Sequence, residues 1–416
     1  MTASGIAPAA VAPIRSQFPL LSRCIDGRPI VYLDSAATSQ KPQFVLDAMD
    51  DYYRTCNANV HRGVYAIAEE ATNRMERARD RVRSFIGARS AAEIVFTKNA
   101  TESLNLVAQS WGRANLRDGD AIVLTHMEHH ADIVPWQMLA AERDIEIRWI
   151  PLDDEGRLDL TDLDRLLDGA RLLGATAMSN VLGTLNPVRT LTDAARAAGA
   201  VSVIDGCQSV PHTATDVVAL GADFVAFSGH KMCGPTGIGV LYGREELLEA
   251  MPPFLGGGEM IRDVRLDGFT CNDLPWKFEA GTPAIAEIIG LGAAVEWLEG
   301  VGMESVRAHE IALVEYTMRT LGERFGDRLR IHGPSDPRER GGVFSFDFDG
   351  LHPHDISQVL DTHGVCVRAG HHCAKPLMRL LGVGATARAS VYVYNDTTDI
   401  DALADALDAA GSFFAL

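Results

Sequence analysis

The chain has 416 residues, two to three typical domain lengths, and can bury a large core. Hydrophobic residues make up 47% and charged residues 23%, the balance of an ordinary globular chain. Lysine and arginine number 38 against 56 aspartates and glutamates, a formal charge of −18, which argues against nucleic acid or an anionic membrane as the main partner.

The first ~25 residues read as a loosely held tip and a short helix. They lack the basic region and apolar core of a signal peptide. No apolar run is long enough to span a bilayer. The seven cysteines (Cys24, Cys56, Cys207, Cys233, Cys271, Cys366, Cys373) are scattered and odd in number, with no CxxC pair. That is neither a disulfide framework nor a zinc ribbon, so a reducing, cytoplasmic setting is expected.

Arg28–Asp34 reads as a strand ending in the turn Asp34-Ser35-Ala36-Ala37-Thr38, and Gln43–Cys56 as a helix. The polar loop Asn57–Gly63, with His61, is an active-site loop or an ordinary connection, the latter favoured. Helix and strand then alternate: helix Tyr65–Ile86, strand Ile94–Thr97, helix Thr101–Trp111, strand Ala121–Leu124, helix Ile133–Glu142, strand Ile145–Ile150. Helix Leu160–Leu167, strand Arg171–Met178, helix Leu191–Ala198, strand Val201–Ile204 and strand Phe224–Phe227 continue the series. Such alternation implies a mostly parallel α/β sheet. Leu255–Trp276 reads as a hairpin or a loop over a site. Helix Ala284–Glu299 marks a boundary. Residues 26–299 form the large domain, and residues 1–25 with 300–416 a smaller α+β domain. The latter comprises helix Met303–Phe325, strands Arg328–His332 and Val343–Phe348, helix Pro353–His363, strands Val365–Arg368 and Ala385–Tyr394, and helix Ile400–Phe413.

In parallel α/β sheets, ligands sit beyond the carboxyl ends of the strands. Four strand ends here carry polar residues: His126, Glu128, His129 and His130; Ser179 and Asn180; Asp205 and Gln208; Ser228, His230 and Lys231. Lys231 lies in a glycine-rich turn between two apolar runs, Phe224–Phe227 and Gly237–Tyr242. Desolvation there favours the neutral amine, the form that attacks an aldehyde to give a Schiff base. The competing reading is a turn lysine in water. Pyridoxal 5'-phosphate needs such a lysine, an acid opposite its ring nitrogen and an anion cradle. Asp205 suits the second need. Thr101, Ser228 and His230, with the helix start at Ala100-Thr101, suit the third, although taken alone that start is better explained by capping by Asn99 or Thr101. His129 is placed to stack on the ring, and Asn180 and Gln208 to bond its phenolic oxygen.

Arg368-Ala369-Gly370-His371-His372-Cys373 sets a thiol among imidazoles and an arginine, surroundings that favour a thiolate nucleophile. Metal binding by His371, His372 and Cys373 is the minority reading, because adjacent ligands do not close a tetrahedral site without residues from elsewhere. No metal is therefore assigned. Arg388, within a strand, is either a grip for a substrate carboxylate or a structural ion pair.

The segments SGHK (Ser228–Lys231) with GPTGIGVLYG, MEHH (Met127–His130), SNVLGT (Ser179–Thr184), FEAGTP (Phe278–Pro283) and RAGHHCA (Arg368–Ala374) together resemble the cysteine desulfurases. The last resembles the type II subgroup that includes the SUF sulfur-mobilisation enzymes. The likeness runs from about Phe18 to the final helix. It implies a class V aminotransferase-like homodimer of pyridoxal-phosphate fold type I, with a large seven-stranded-type sheet domain and sites at the subunit interface. By that resemblance Lys231 carries the cofactor and moves protons at Cα, Asp205 pairs with the ring nitrogen and His129 covers the ring. Thr101, Ser228 and His230 bind the phosphate, with Thr282 reaching from the partner subunit. Asn180 and Gln208 complete the cofactor set. Arg388 binds the carboxylate of L-cysteine, and His61, Asn180 and Arg368 join the substrate set. Cys373 takes the sulfur as a persulfide, leaving alanine. The sulfur then passes to a SufE-like or SufU-like acceptor and the SUF scaffold for iron-sulfur cluster assembly. Ala100 departs from relatives that carry threonine there, which leaves a backbone N–H to serve. Selenocysteine lyase or sulfinate desulfinase activity is the nearest alternative. An aminotransferase would leave Cys373 without a role.

Overall fold

The computed structural model describes residues 8–414. The expected loose N-terminal tip falls mostly on residues 1–7, outside the described residues, and its short helix is Pro8–Arg15.

Seven strands form the central sheet: β1 Ile94–Thr97, β2 Ala121–Thr125, β3 Glu146–Ile150, β4 Ala170–Thr176, β5 Val201–Asp205, β6 Phe224–Ser228 and β7 Gly239–Gly243. Their spatial order is β1-β7-β6-β5-β4-β2-β3. Six run one way, and β7 runs against its neighbours β1 and β6. The mostly parallel sheet expected from the alternation is therefore present. Its core splits by the two-residue strand period. Ile94 and Phe96 of β1 enter one hydrophobic layer and Val95 the other; Val225 and Phe227 of β6 oppose Phe224 and Ala226 in the same way. Strands buried on both faces read as continuous apolar runs, which is why they were legible.

Helix Ile285–Val301 packs against Gln43–Thr55 and Ala66–Phe85 on the first face. Beneath it Arg79, fully buried, makes a paired ion bond to Glu279 (2.7 and 2.9 Å). Glu279 Oε1 also accepts from the Phe96 N–H at 2.7 Å, so the acid of FEAGTP ties that motif to β1.

The C-terminal part builds a four-stranded antiparallel sheet in the order Leu329–Ile331, Val343–Phe348, Thr386–Ser390, Arg368–Gly370. Helices Met303–Phe325, Pro353–Thr362 and Thr397–Phe414 share its core with Phe344, Phe346 and Phe348. Leu33 belongs to that same core, and Val31–Tyr32 pairs in parallel with Val365–Cys366.

Three expected strands are broken. Arg28–Asp34 splits into the two-residue pieces Arg28–Pro29 and Val31–Tyr32, because Pro29 brings no N–H to a ladder. Val365–Arg368 divides between two sheets. Ala385–Tyr394 stops at Ser390, where Asn395 closes a turn by accepting the Tyr392 N–H at 2.9 Å. Leu255–Trp276 contains a hairpin, Ile261–Arg265 against Gly268–Cys271, with Val264, Leu266 and Phe269 exposed. Among the described residues no helix is long and apolar enough to cross a membrane.

Candidate active site

The four strand ends converge. One cavity of about 280 Å³ is lined by His129, Asn180, Asp205, Gln208, Ser228, His230 and Lys231, and also by Ala100, Thr101, Arg368, Cys373 and Arg388. Parallel strands deliver the first seven to one sheet edge. The last three come from the C-terminal sheet and the loop after its strand Arg368–Gly370.

Lys231 ends a single 3-10 turn after β6, is half-buried and lines the cavity. Asp205 closes β5 and is 4% exposed. The Cys207 N–H holds its Oδ1 at 2.9 Å, which fixes the carboxylate. Cys207 itself lines the cavity. Burial pushes its thiol upward, so it stays protonated and inert.

His129 accepts the Ala131 N–H at Nδ1 (3.1 Å). Burial, then the Lys231 charge, push its pKa down to about 4, so it is neutral with the proton on Nε2. His230 is likewise pushed down to about 4 by burial and by Lys231 and Lys41, and its Nδ1 lies 3.2 Å from Thr38 Oγ1. At the start of helix Ala100–Val107, Asn99 Oδ1 accepts from the Glu102 N–H at 2.9 Å, so capping is real there. The Ala100 N–H goes to Ser228 Oγ at 2.9 Å, so the backbone donor expected to replace a threonine hydroxyl is engaged by Ser228. Thr101 is exposed beside it.

Arg388 is 2% exposed and burial lowers its pKa to about 10. It donates to the Asn180 carbonyl at 2.9 Å and to Asp34 at 3.4 Å, and its buried Nε has no partner. Asp34 also takes paired bonds from Arg368, at 3.0 and 3.2 Å. The Asn180 amide donates to the His372 carbonyl at 2.7 Å, and that of Gln208 to the Ala36 carbonyl at 2.8 Å.

The thiol loop is pinned from the sheet side. His130 N–H donates to the Cys373 carbonyl at 2.7 Å, and the Lys375 N–H donates to His130 Nε2 at 2.9 Å. His372 and Cys373 both hold positive φ, +48° and +55°, sparsely populated for side-chain-bearing residues. His372 turns inward to Thr386 Oγ1 (2.9 Å), while Cys373 stays exposed at the cavity rim.

Two candidates lie elsewhere in this chain. His61, at φ +67°, bonds Glu76 at 3.1 Å and packs edge-on against Trp276, outside the cavity. Thr282 is exposed on a separate cavity with Lys98 and Gly237. Asp34, Cys207 and the pinning role of His130 were missed, although Asp34 stood at a visible strand end and His130 in the MEHH segment.

A buried acid, a cavity lysine, a capped helix start with a hydroxyl beside it, and an arginine with a spare buried donor fit pyridoxal 5'-phosphate and an amino-acid carboxylate. The aminotransferase class V family model matches residues 31–403, and the chain belongs to that family of pyridoxal-phosphate enzymes. A probable cysteine desulfurase of Streptomyces coelicolor is 52% identical, covering 96% of this chain and 97% of its own. A cysteine desulfurase of Haloferax volcanii is 49% identical, covering 98% of each. The apo structure of a cysteine desulfurase from Thermococcus onnurineus superposes with a TM-score of 0.92 at 42% identity, over 99% of this chain and 100% of the other. These relatives set the chain among the cysteine desulfurases of the class.

Proposed function

We propose that the chain removes sulfur from L-cysteine, leaving L-alanine and a persulfide on Cys373. The observation that carries this is one cavity lined by Lys231, the buried Asp205 and an exposed, backbone-strained Cys373. Pyridoxal 5'-phosphate supplies an aldehyde and an electron-accepting ring when bound. Lys231 binds that aldehyde and moves the proton at the substrate Cα. Asp205 holds the proton on the ring nitrogen. Neutral His129 covers the ring without adding charge. Ser228, His230 and Thr101 hold the phosphate, and Asn180 and Gln208 stay near the ring oxygen through amides already oriented by His372 and Ala36. Arg388 grips the substrate carboxylate with its free edge, as its unpartnered Nε supports. Arg368 aids it through Asp34. The Cys373 thiolate then attacks the substrate sulfur, and the C–S electron pair returns to the substrate carbon, which is protonated to alanine.

The active unit is a homodimer in which Thr282 and His61 reach the partner's site. The exposed apolar residues Val264, Leu266 and Phe269 on the hairpin suit such an interface. Residues 26–299 act as the cofactor domain, apart from Val31–Leu33, which join the C-terminal part, and 1–25 with 300–416 act as the domain carrying the cysteine loop. The persulfide passes to a SufE-like or SufU-like acceptor and on to iron-sulfur cluster assembly, in the cytoplasm.

The test is alanine formation from L-cysteine with reductant. Cys373→Ser lowers it at least a hundredfold, while cofactor absorbance persists. Equal rates remove the role of Cys373. No alanine from either protein, but alanine from selenocysteine, replaces the reading with a selenocysteine lyase.

A further inference from the structure

The thiol loop brings together three soft or borderline donors that the sequence does not place side by side. His130, His371 and Cys373 each offer a ligand atom, all within 4.8 Å of one another. The adjacent set weighed from sequence fails because His372 is turned into the protein, onto Thr386. His130, some 240 residues away in the chain, takes its place.

Both imidazoles turn a lone pair to this loop. His371 Nδ1 accepts from the Cys373 N–H at 3.1 Å, and His130 Nε2 from the Lys375 N–H at 2.9 Å. Each of those nitrogens has a single lone pair, now accepting a backbone N–H, so ligation replaces that hydrogen bond with the bond to the cation. The rings lie 5.6 Å apart, inclined by 37°. Ligand atoms around a tetrahedral zinc stand about 3.6 Å apart, given bonds near 2.1 and 2.3 Å. Because Cys373 is exposed and His371 half-buried, rotamer changes of these two side chains close the gap.

We propose that His130, His371 and Cys373 form a site for a thiophilic divalent cation of the zinc class, with a fourth position open to water or to a thiol. On binding, the Cys373 Sγ–H bond breaks and its proton leaves to solvent as the sulfur–metal bond forms. The imidazoles give lone pairs, and nothing is oxidised or reduced. Two neutral nitrogens and one thiolate suit zinc or cadmium over magnesium or calcium. Occupancy ties up the sulfur that attacks the substrate, so the cation is a reversible inhibitor; that consequence rests on the function proposed for Cys373, whereas the binding does not.

The test is titration of the cofactor-loaded enzyme with Cd²⁺, free of L-cysteine and thiol reductants, following thiolate-to-cadmium absorbance. Wild type is expected to show one saturable site per chain, displaced by Zn²⁺ and reversed by a chelator. Cys373→Ser loses that site, and His371→Ala weakens it at least tenfold. Zn²⁺ inhibition, read against each protein's own uninhibited rate, shifts by the same factor in His371→Ala. No saturable site in wild type, or the same affinity in His371→Ala, overturns the proposal. Histidine-dependent binding without inhibition leaves the site standing and removes Cys373 from the reaction instead.

Discussion

Two guanidiniums meet at the carboxylate of Asp34. Arg368 approaches from solvent and Arg388 from the interior, and among the described residues Asp34 is the acid that bonds both. A buried arginine is held in place only as well as its hydrogen-bond partners hold it. Asp34→Asn keeps the shape but removes the charge that orients Arg388 against the Asn180 carbonyl. We expect kcat/KM for L-cysteine to fall about tenfold, roughly 1.4 kcal/mol, mainly through KM. Unchanged steady-state kinetics would show that Arg388 needs no such support. None of this was readable from sequence. Arg388 was visible as a forked cation in a strand, but Asp34 lies 354 residues from it, and a pairing over that span has no local signature. The same holds for His130 and the loop of Cys373.

The sheet edge is more exacting than its element pattern suggests. Gly239, the first residue of β7, sits so close to Asn99 that a Cβ would come within 2.5 Å of the latter's Cα and carbonyl carbon. Asn99 caps the helix whose start faces the proposed phosphate position, and Ser228 holds that helix from the next strand. Gly239→Ala must therefore shift backbone, which costs about 1–3 kcal/mol and weakens cofactor binding. Thermal unfolding and cofactor titration report both. Gly384→Ala, with nothing within 4 Å of its Cβ, is the neutral control. If Gly239→Ala behaves as that control does, the helix start is not held by this contact. Element order was legible because β1, β2, β5 and β6 are short, largely apolar runs each ending in a polar residue. The broken strands were not, because Pro29 and the Asn395 turn act through hydrogen bonds that hydrophobic pattern does not register.

Across the whole molecule the chemistry rests on a core that buries acids as well as apolar side chains. Glu128 and Asp132 are both fully buried, and Glu128 Oε2 and Asp132 Oδ2 lack partners. Burial, opposed by the Trp136 hydrogen bond, lifts Asp132 to about 8, and burial with the Asp132 charge lifts Glu128. Between the unfolded value near 4 and about 8, the folded chain keeps a proton that the unfolded chain releases, so this contribution declines as pH rises. His129, His230 and His372, depressed to about 4, 4 and 3, act in the opposite sense, but only below their unfolded value near 6.5. The window from pH 6.5 to 8 thus isolates the acids. There, denaturant unfolding should show Asp132→Asn gaining on wild type by about 1 kcal/mol per pH unit. Parallel stability curves would mean that Asp132 itself holds no proton in that window. The fold class was legible from alternating elements, and so was most of the cavity, from the polar residues at the carboxyl ends of the strands. The acid pair was not, since MEHH displays Glu128 without showing that it points inward beside Asp132.

The measurement that bears most directly on the proposed chemistry is peptide mass spectrometry of the cofactor-loaded enzyme, quenched after one turnover with L-cysteine and alkylated. The account predicts one added sulfur on the peptide bearing Cys373, matched by one alanine per site, and none on the other six cysteines. Alanine formed without that added sulfur, or sulfur found on another cysteine, would contradict it.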